Sequence, residues 1–138
     1  MTDRFCVTIF HNPACGTSRN ALAMIEAAGY EPVVVDYLRA GWTRPQLIDL
    51  AQRAGVTVRY LLREKDTPAA QLGLLGAEVD DDRLLDAMCA HPILVNRPIV
   101  ATPKGVALCR PSERVFALLE ETPQTFVKED GEVVKPGG

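Results

Sequence analysis

Phe5-Cys6-Val7-Thr8-Ile9-Phe10, His11-Asn12-Pro13-Ala14 and Cys15-Gly16-Thr17-Ser18-Arg19 follow one another without a gap, and their reading decides the fold. The first six residues are mostly apolar, rich in β-branched and aromatic side chains and bounded by Asn12-Pro13, which predicts a buried strand over residues 5–10. From Cys15 the pattern changes period: Ala21, Leu22, Ile25 and Ala28 recur at helical spacing, and Gly29 is placed to end the helix in a left-handed cap. A strand, a tight loop and a helix therefore occupy residues 5–29, with Cys15 at or just before the first helical turn. Unpaired N–H groups and the positive end of the helix dipole favour an anion there, either a thiolate or a bound oxyanion. His11 on the loop and Arg19 one turn into the helix can add positive charge, and a cysteine so placed ionises below the ~8.5 of a free thiol. The local pattern leaves two readings open, a nucleophilic cysteine and a small buried hydrophobe.

Outward from this stretch, 138 residues with 47% hydrophobic content suffice for one core, so a single domain over residues 1–138 is expected. A net charge of −3 and a pI near 5.4 give no basic footprint, so no nucleic-acid partner is expected. No apolar run approaches the ~20 residues that span a bilayer. Met1-Thr2-Asp3-Arg4 leads directly into the first strand, leaving no room for a signal peptide, so a cytoplasmic protein without a membrane partner is expected. Cysteines at 6, 15, 89 and 109 show neither disulfide-scaffold density nor zinc spacing, and no metal is expected. Ser18 stands third after Cys15, where a dithiol motif would carry its second cysteine, so redox chemistry here borrows a thiol from outside. Cys6, Cys89 and Cys109 read as core residues.

Further along, Val33-Val34-Val35-Asp36-Tyr37 predicts a strand parallel to the first, completing a βαβ unit. Thr43, with Pro45 in the first turn and Gln46 completing a capping box, opens a helix over Leu47, Ile48, Leu50, Ala51 and Ala54 that Gly55 stops. Residues 57–62 predict a short helix or turn, Thr67-Pro68 a brief helix to about Leu72, and Asp80-Asp81-Asp82 a helix ending at or before His91-Pro92. Residues 43–90 thus read as an inserted helical segment without a strand. Ile99-Val100-Ala101 and Val106-Ala107-Leu108 predict an antiparallel hairpin turning at Thr102-Pro103-Lys104-Gly105. Pro111 opens a last helix with Val115, Phe116, Leu118 and Leu119 inward. Residues 123–138 are polar and read as a weakly ordered tail. The sum is α/β: a four-stranded mixed sheet, βαβ then ββα, with the helical insertion between.

Arg63, Arg97 and Arg110 each abut apolar sequence near the end of an element. Converging, they would hold a tetrahedral oxyanion, since guanidinium forks match such oxygens bidentately; apart, each would snorkel to solvent. Spacing does exclude a phosphatase-type loop, which requires its arginine further along, where Ala21 stands here.

The blocks His11-Asn12-Pro13-Ala14-Cys15-Gly16-Thr17-Ser18-Arg19-Asn20, Leu61-Leu62-Arg63, His91-Pro92-Ile93-Leu94-Val95-Asn96-Arg97-Pro98-Ile99 and Leu108-Cys109-Arg110-Pro111-Ser112-Glu113, in this order, closely resemble the glutaredoxin-coupled bacterial arsenate reductases, enzymes of arsenic detoxification. The resemblance covers residues 5 to about 130. It implies a thioredoxin-like fold, a catalytic Cys15 whose pKa His11 helps to lower, and a substrate site made of Arg63, Arg97, Arg110, Gly16, Thr17 and Ser18. It further implies arsenate as substrate, glutathione as co-substrate, glutaredoxin as partner, no bound cofactor, and a cis-proline at Pro98. Two rivals share the fold. Redox-responsive regulators that bind RNA polymerase typically carry a Cys-x-x-Cys switch where this chain has Ser18, and a glutathione-dependent thiol reductase would act on another substrate.

Overall fold

The computed structural model describes residues 5–136, which leaves the Met1–Arg4 stretch of the signal-peptide reading outside it. The chain clusters into two compact units, Met1–Asp36 with Arg97–Gly138, and Tyr37–Asn96. Among the described residues no helix is long and apolar enough to cross a membrane.

The first unit carries a four-stranded mixed sheet in the order β2-β1-β3-β4. Strand β1 (Thr8–His11) runs parallel to β2 (Val33–Asp36), with Thr8 opposite Val33, and antiparallel to β3 (Ile99–Thr102), with Ile9 opposite Val100. Strand β4 (Gly105–Leu108) closes the edge antiparallel to β3. Between β1 and β2 lies α1 (Gly16–Ala27). It ends as its sequence requires: Gly29 takes φ +98°, its N–H bonds Glu26 O, and Tyr30 N–H reaches back to Ile25 O, the paired bonds of a Schellman cap.

Val7 and Ile9 from the first strand region, Ala21, Met24 and Ile25 from α1, Val100 from β3, and Val115, Phe116, Leu118 and Leu119 form one buried cluster. The last group lies on or just after Ser112–Leu118, which is a 3-10 helix and not the amphipathic α-helix that the sequence predicts. Burial explains the tighter winding, because Ser112, Val115 and Leu118 recur every third residue and all three are buried. Arg97–Pro98 is cis, as the resemblance implies, and so is Arg110–Pro111.

Two further expectations are corrected in this unit. Cys6 is exposed, since it alternates with inward-facing Val7. Residues 126–134 are a hairpin, not a loose tail: β5 (Phe126–Val127) pairs with β6 (Val133–Val134). Composition conceals its anchors. Phe126 and Val134 pack on the buried cluster, and Lys128 Nζ lies 2.8 Å from Glu113 and 3.2 Å from Glu132 with its side chain only 10% exposed.

In the second unit, α2 (Tyr37–Ala40) takes over the residue expected to end the second strand, and Tyr37 donates its hydroxyl to Val95 O at 3.0 Å. Helix α3 (Arg44–Ala54) has the full Thr43/Gln46 capping box and a left-handed Gly55 at its end. Residues 57–62 contain a 3-10 turn, Arg59–Leu61, and α4 (Asp81–Ala90) starts on the Asp80 cap. The brief helix expected from Thr67 is a series of turns, closed by Leu72 N–H to Pro68 O and broken at Gly73. Arg59 organises the backbone between Gly73 and α4, donating to the carbonyls of Leu74, Gly76 and Val79.

Candidate active site

Cys15 is the N-cap of α1, in extended conformation at φ −100°. The sulfur thus sits at the end of a helix whose first N–H groups lack backbone acceptors. The preceding turn is closed twice: Cys15 N–H donates to Asn12 O at 3.0 Å, and Ala14 N–H to Asn12 Oδ1 at 2.9 Å. Ser18 stitches the turn to the helix, its Oγ accepting Asn12 N–H at 3.1 Å and sharing a 2.6 Å hydrogen bond with His11 Nδ1. On the other side, Ser112 Oγ donates to Thr17 O at 2.9 Å, tying the 3-10 helix to the first turn of α1.

Burial pushes the Cys15 thiol up, yet its pKa is lowered to about 7. The Arg97 guanidinium, the Ser18 N–H and Arg110 all bond the thiolate and outweigh the loss of water. Arg110 Nη1 lies 3.8 Å from Sγ and donates to Arg97 O at 3.0 Å, so one guanidinium both faces the sulfur and fixes the backbone of the other. Cys15 as a whole residue is 9% exposed. Cys109 is the contrast: burial pushes its thiol up to about 12, which makes it an inert core residue.

Of the three arginines singled out in the sequence, Arg97 and Arg110 meet at the thiol. Arg63 belongs to the Tyr37–Asn96 unit, where its Nη1 donates to Asn96 Oδ1 at 3.2 Å. His11 bonds Ser18 Oγ at the start of the same turn. Its own pKa is lowered, mainly by burial, with Asp36 opposing and Arg19 assisting. What the ring gives the site is the bond to Ser18. Glu129 holds Arg19 through two bonds of 2.9 and 3.0 Å and offsets its charge. Sequence spacing misses Glu129 entirely, since it lies in a polar run 110 residues from Arg19, and it misses Ser112, 95 residues from Thr17.

A thiolate under two guanidinium groups and a helix N-terminus suits nucleophilic attack on an oxyanion. Residues 10–118 match the model of the ArsC family. The chain belongs to the ArsC family. It is 57% identical to an arsenate reductase of Synechocystis sp. over 93% of this chain and 92% of that protein, and 52% identical to an arsenate reductase of Escherichia coli (strain K12) over the same shares. Among solved structures it resembles an arsenate reductase from Vibrio cholerae, with a TM-score of 0.80, 36% identity, and coverage of 85% of this chain and 100% of that one. The fold is the thioredoxin-like α/β arrangement that the resemblance implies, and this chain carries the four-stranded mixed sheet that the element order predicts.

Proposed function

We propose that this ArsC-family protein reduces arsenate to arsenite through Cys15 as its single nucleophilic thiol. The observation that carries the reading is the Cys15 pKa of about 7 beneath Arg97 and Arg110; the names of its relatives support arsenate as the oxyanion. Cys15 Sγ attacks arsenic and a hydroxide leaves as water, with the two guanidiniums offsetting the repulsion between two anions. Gly16 and Thr17 offer first-turn N–H groups to the oxygens, while the Ser18 N–H bonds the sulfur.

Ser18 supplies no second thiol, so the electrons come from outside. Glutathione replaces a second oxygen on arsenic, and a glutaredoxin thiolate then attacks the glutathione sulfur. The arsenic–sulfur bond breaks with its electron pair on arsenic, which passes from the +5 to the +3 state while a mixed disulfide leaves. Water then releases arsenite from Cys15. A regulator with a Cys-x-x-Cys switch fits poorly, because the position of its second sulfur holds a Ser18 hydroxyl bonded to His11 and Asn12.

The test is turnover of arsenate with glutathione, glutaredoxin and an NADPH-linked recycling system. Cys15→Ser is expected to lose activity by ~10³-fold or more. A Cys15→Ser enzyme as active as its parent would overturn the assignment.

A further inference from the structure

Arg19 sits one turn past Cys15, and its guanidinium is held on two edges. Nε and Nη2 donate to Glu129 Oε2 and Oε1 at 2.9 and 3.0 Å, while Nη1 donates to the Pro13 carbonyl at 2.9 Å. Pro13 lies inside the turn whose bonds to Asn12 set the backbone of Ala14 and Cys15. Glu129 approaches this turn closely. A Cβ placed on Gly16 would stand 3.6 Å from Arg19 Nη2 and 3.8 Å from Glu129 Oε1.

Glu129 is itself well fixed. Its N–H donates to Asn20 Oδ1 at 3.0 Å, and the neighbouring Lys128 is paired with Glu113 and Glu132. Bidentate contact to a carboxylate locks a guanidinium plane in a way one bond cannot. From this geometry we infer that Glu129 is a positioning residue for the nucleophile: it orients Arg19, and Arg19 holds the Pro13 carbonyl and with it the 12–15 turn that aims Cys15. The inference rests on Cys15 being the nucleophile. The ion pair acts here through geometry: the groups that lower the thiol are Arg97, Ser18 and Arg110, and Glu129 offsets the charge of Arg19.

Hydrogen exchange resolved to single amides tests this on the full chain and on E129A, E129Q, R19A and the R19A/E129A double variant. In E129A the Ala14 and Cys15 amides are expected to exchange about 3- to 5-fold faster, the scale of one exposed ion pair, while Ile9 and Phe10 of β1 are unchanged. R19A does the same, E129Q falls between E129A and the parent, and the double variant is no faster than R19A, because Glu129 has nothing left to act through. In turnover, kcat of E129A falls by a similar factor with a smaller change in KM. Unchanged exchange at Ala14 and Cys15 in E129A, or a double variant showing the product of the two single effects, would overturn the role. Exchange requires no substrate, so a failure of arsenate turnover in every protein, parent included, counts against the proposed function and leaves this result readable.

Discussion

At the scale of single residues, the site reduces to how a buried sulfur keeps a negative charge. Desolvation alone would leave Cys15 protonated at neutral pH, and the bonds from Arg97, Ser18 N–H and Arg110 reverse that balance to give about 7. Turnover limited by the thiolate should therefore rise from pH 5 and level off above about 7, and Arg97→Ala should move that midpoint up by about one pH unit in a pH–rate profile. His11→Ala is expected to leave the midpoint where it is, because burial lowers the pKa of the ring and the bonds on the thiolate come from Arg97, Ser18 and Arg110; a clear upward movement would support the role implied by family likeness. Cys15, Arg97 and Arg110 were legible in the sequence through their motif blocks. The state of His11 was not, because ring burial and the bond to Ser18 depend on how β1 meets α1, which no spacing encodes.

At the scale of elements, end signals were the most legible feature. The Thr43/Gln46 box, the Asp80 cap and the glycines at 29 and 55 mark their helices where expected because capping is local chemistry. Gly29→Ala forces a side chain into φ +98° and should cost about 1–2 kcal/mol, read as a lower midpoint in denaturant with an unchanged slope. Thr43→Ala should cost ~1 kcal/mol through loss of its bond to Gln46 N–H. Besides the brief helix expected from Thr67, two elements were misread for one reason. The Ser112–Leu118 segment and the 126–134 hairpin both take their form from the core they pack on, not from their own propensity. Polarity alone makes Lys128, Glu129 and Glu132 look like solvated tail, whereas each has a partner in the fold.

At the scale of the whole molecule, one parallel crossover, one hairpin and the antiparallel pairing of β1 with β3 give the sheet order β2-β1-β3-β4; element order pointed to the four-stranded mixed sheet, and the motif blocks to the thioredoxin-like fold. Two thiols give stability opposite slopes with pH. Cys15 is lowered on folding, so its contribution is complete above the ~8.5 of an unfolded thiol and is lost as pH falls through about 7. Cys109 is raised, so its contribution is complete below ~8.5 and is lost as pH climbs toward about 12. Denaturant midpoints of Cys15→Ser relative to the parent should therefore fall further behind between pH 7 and 8.5, while Cys109→Ala should flatten the alkaline decline.

The most direct measurement is the pH dependence of Cys15 alkylation by a neutral reagent, followed on the Cys15 peptide by mass spectrometry so that exposed Cys6 does not contribute. The expected result is a midpoint near 7 in the parent, rising toward ~8.5 in the Arg97→Ala/Arg110→Ala double variant. A parent midpoint at ~8.5, unmoved by loss of both arginines, would contradict a thiolate held by their guanidinium groups.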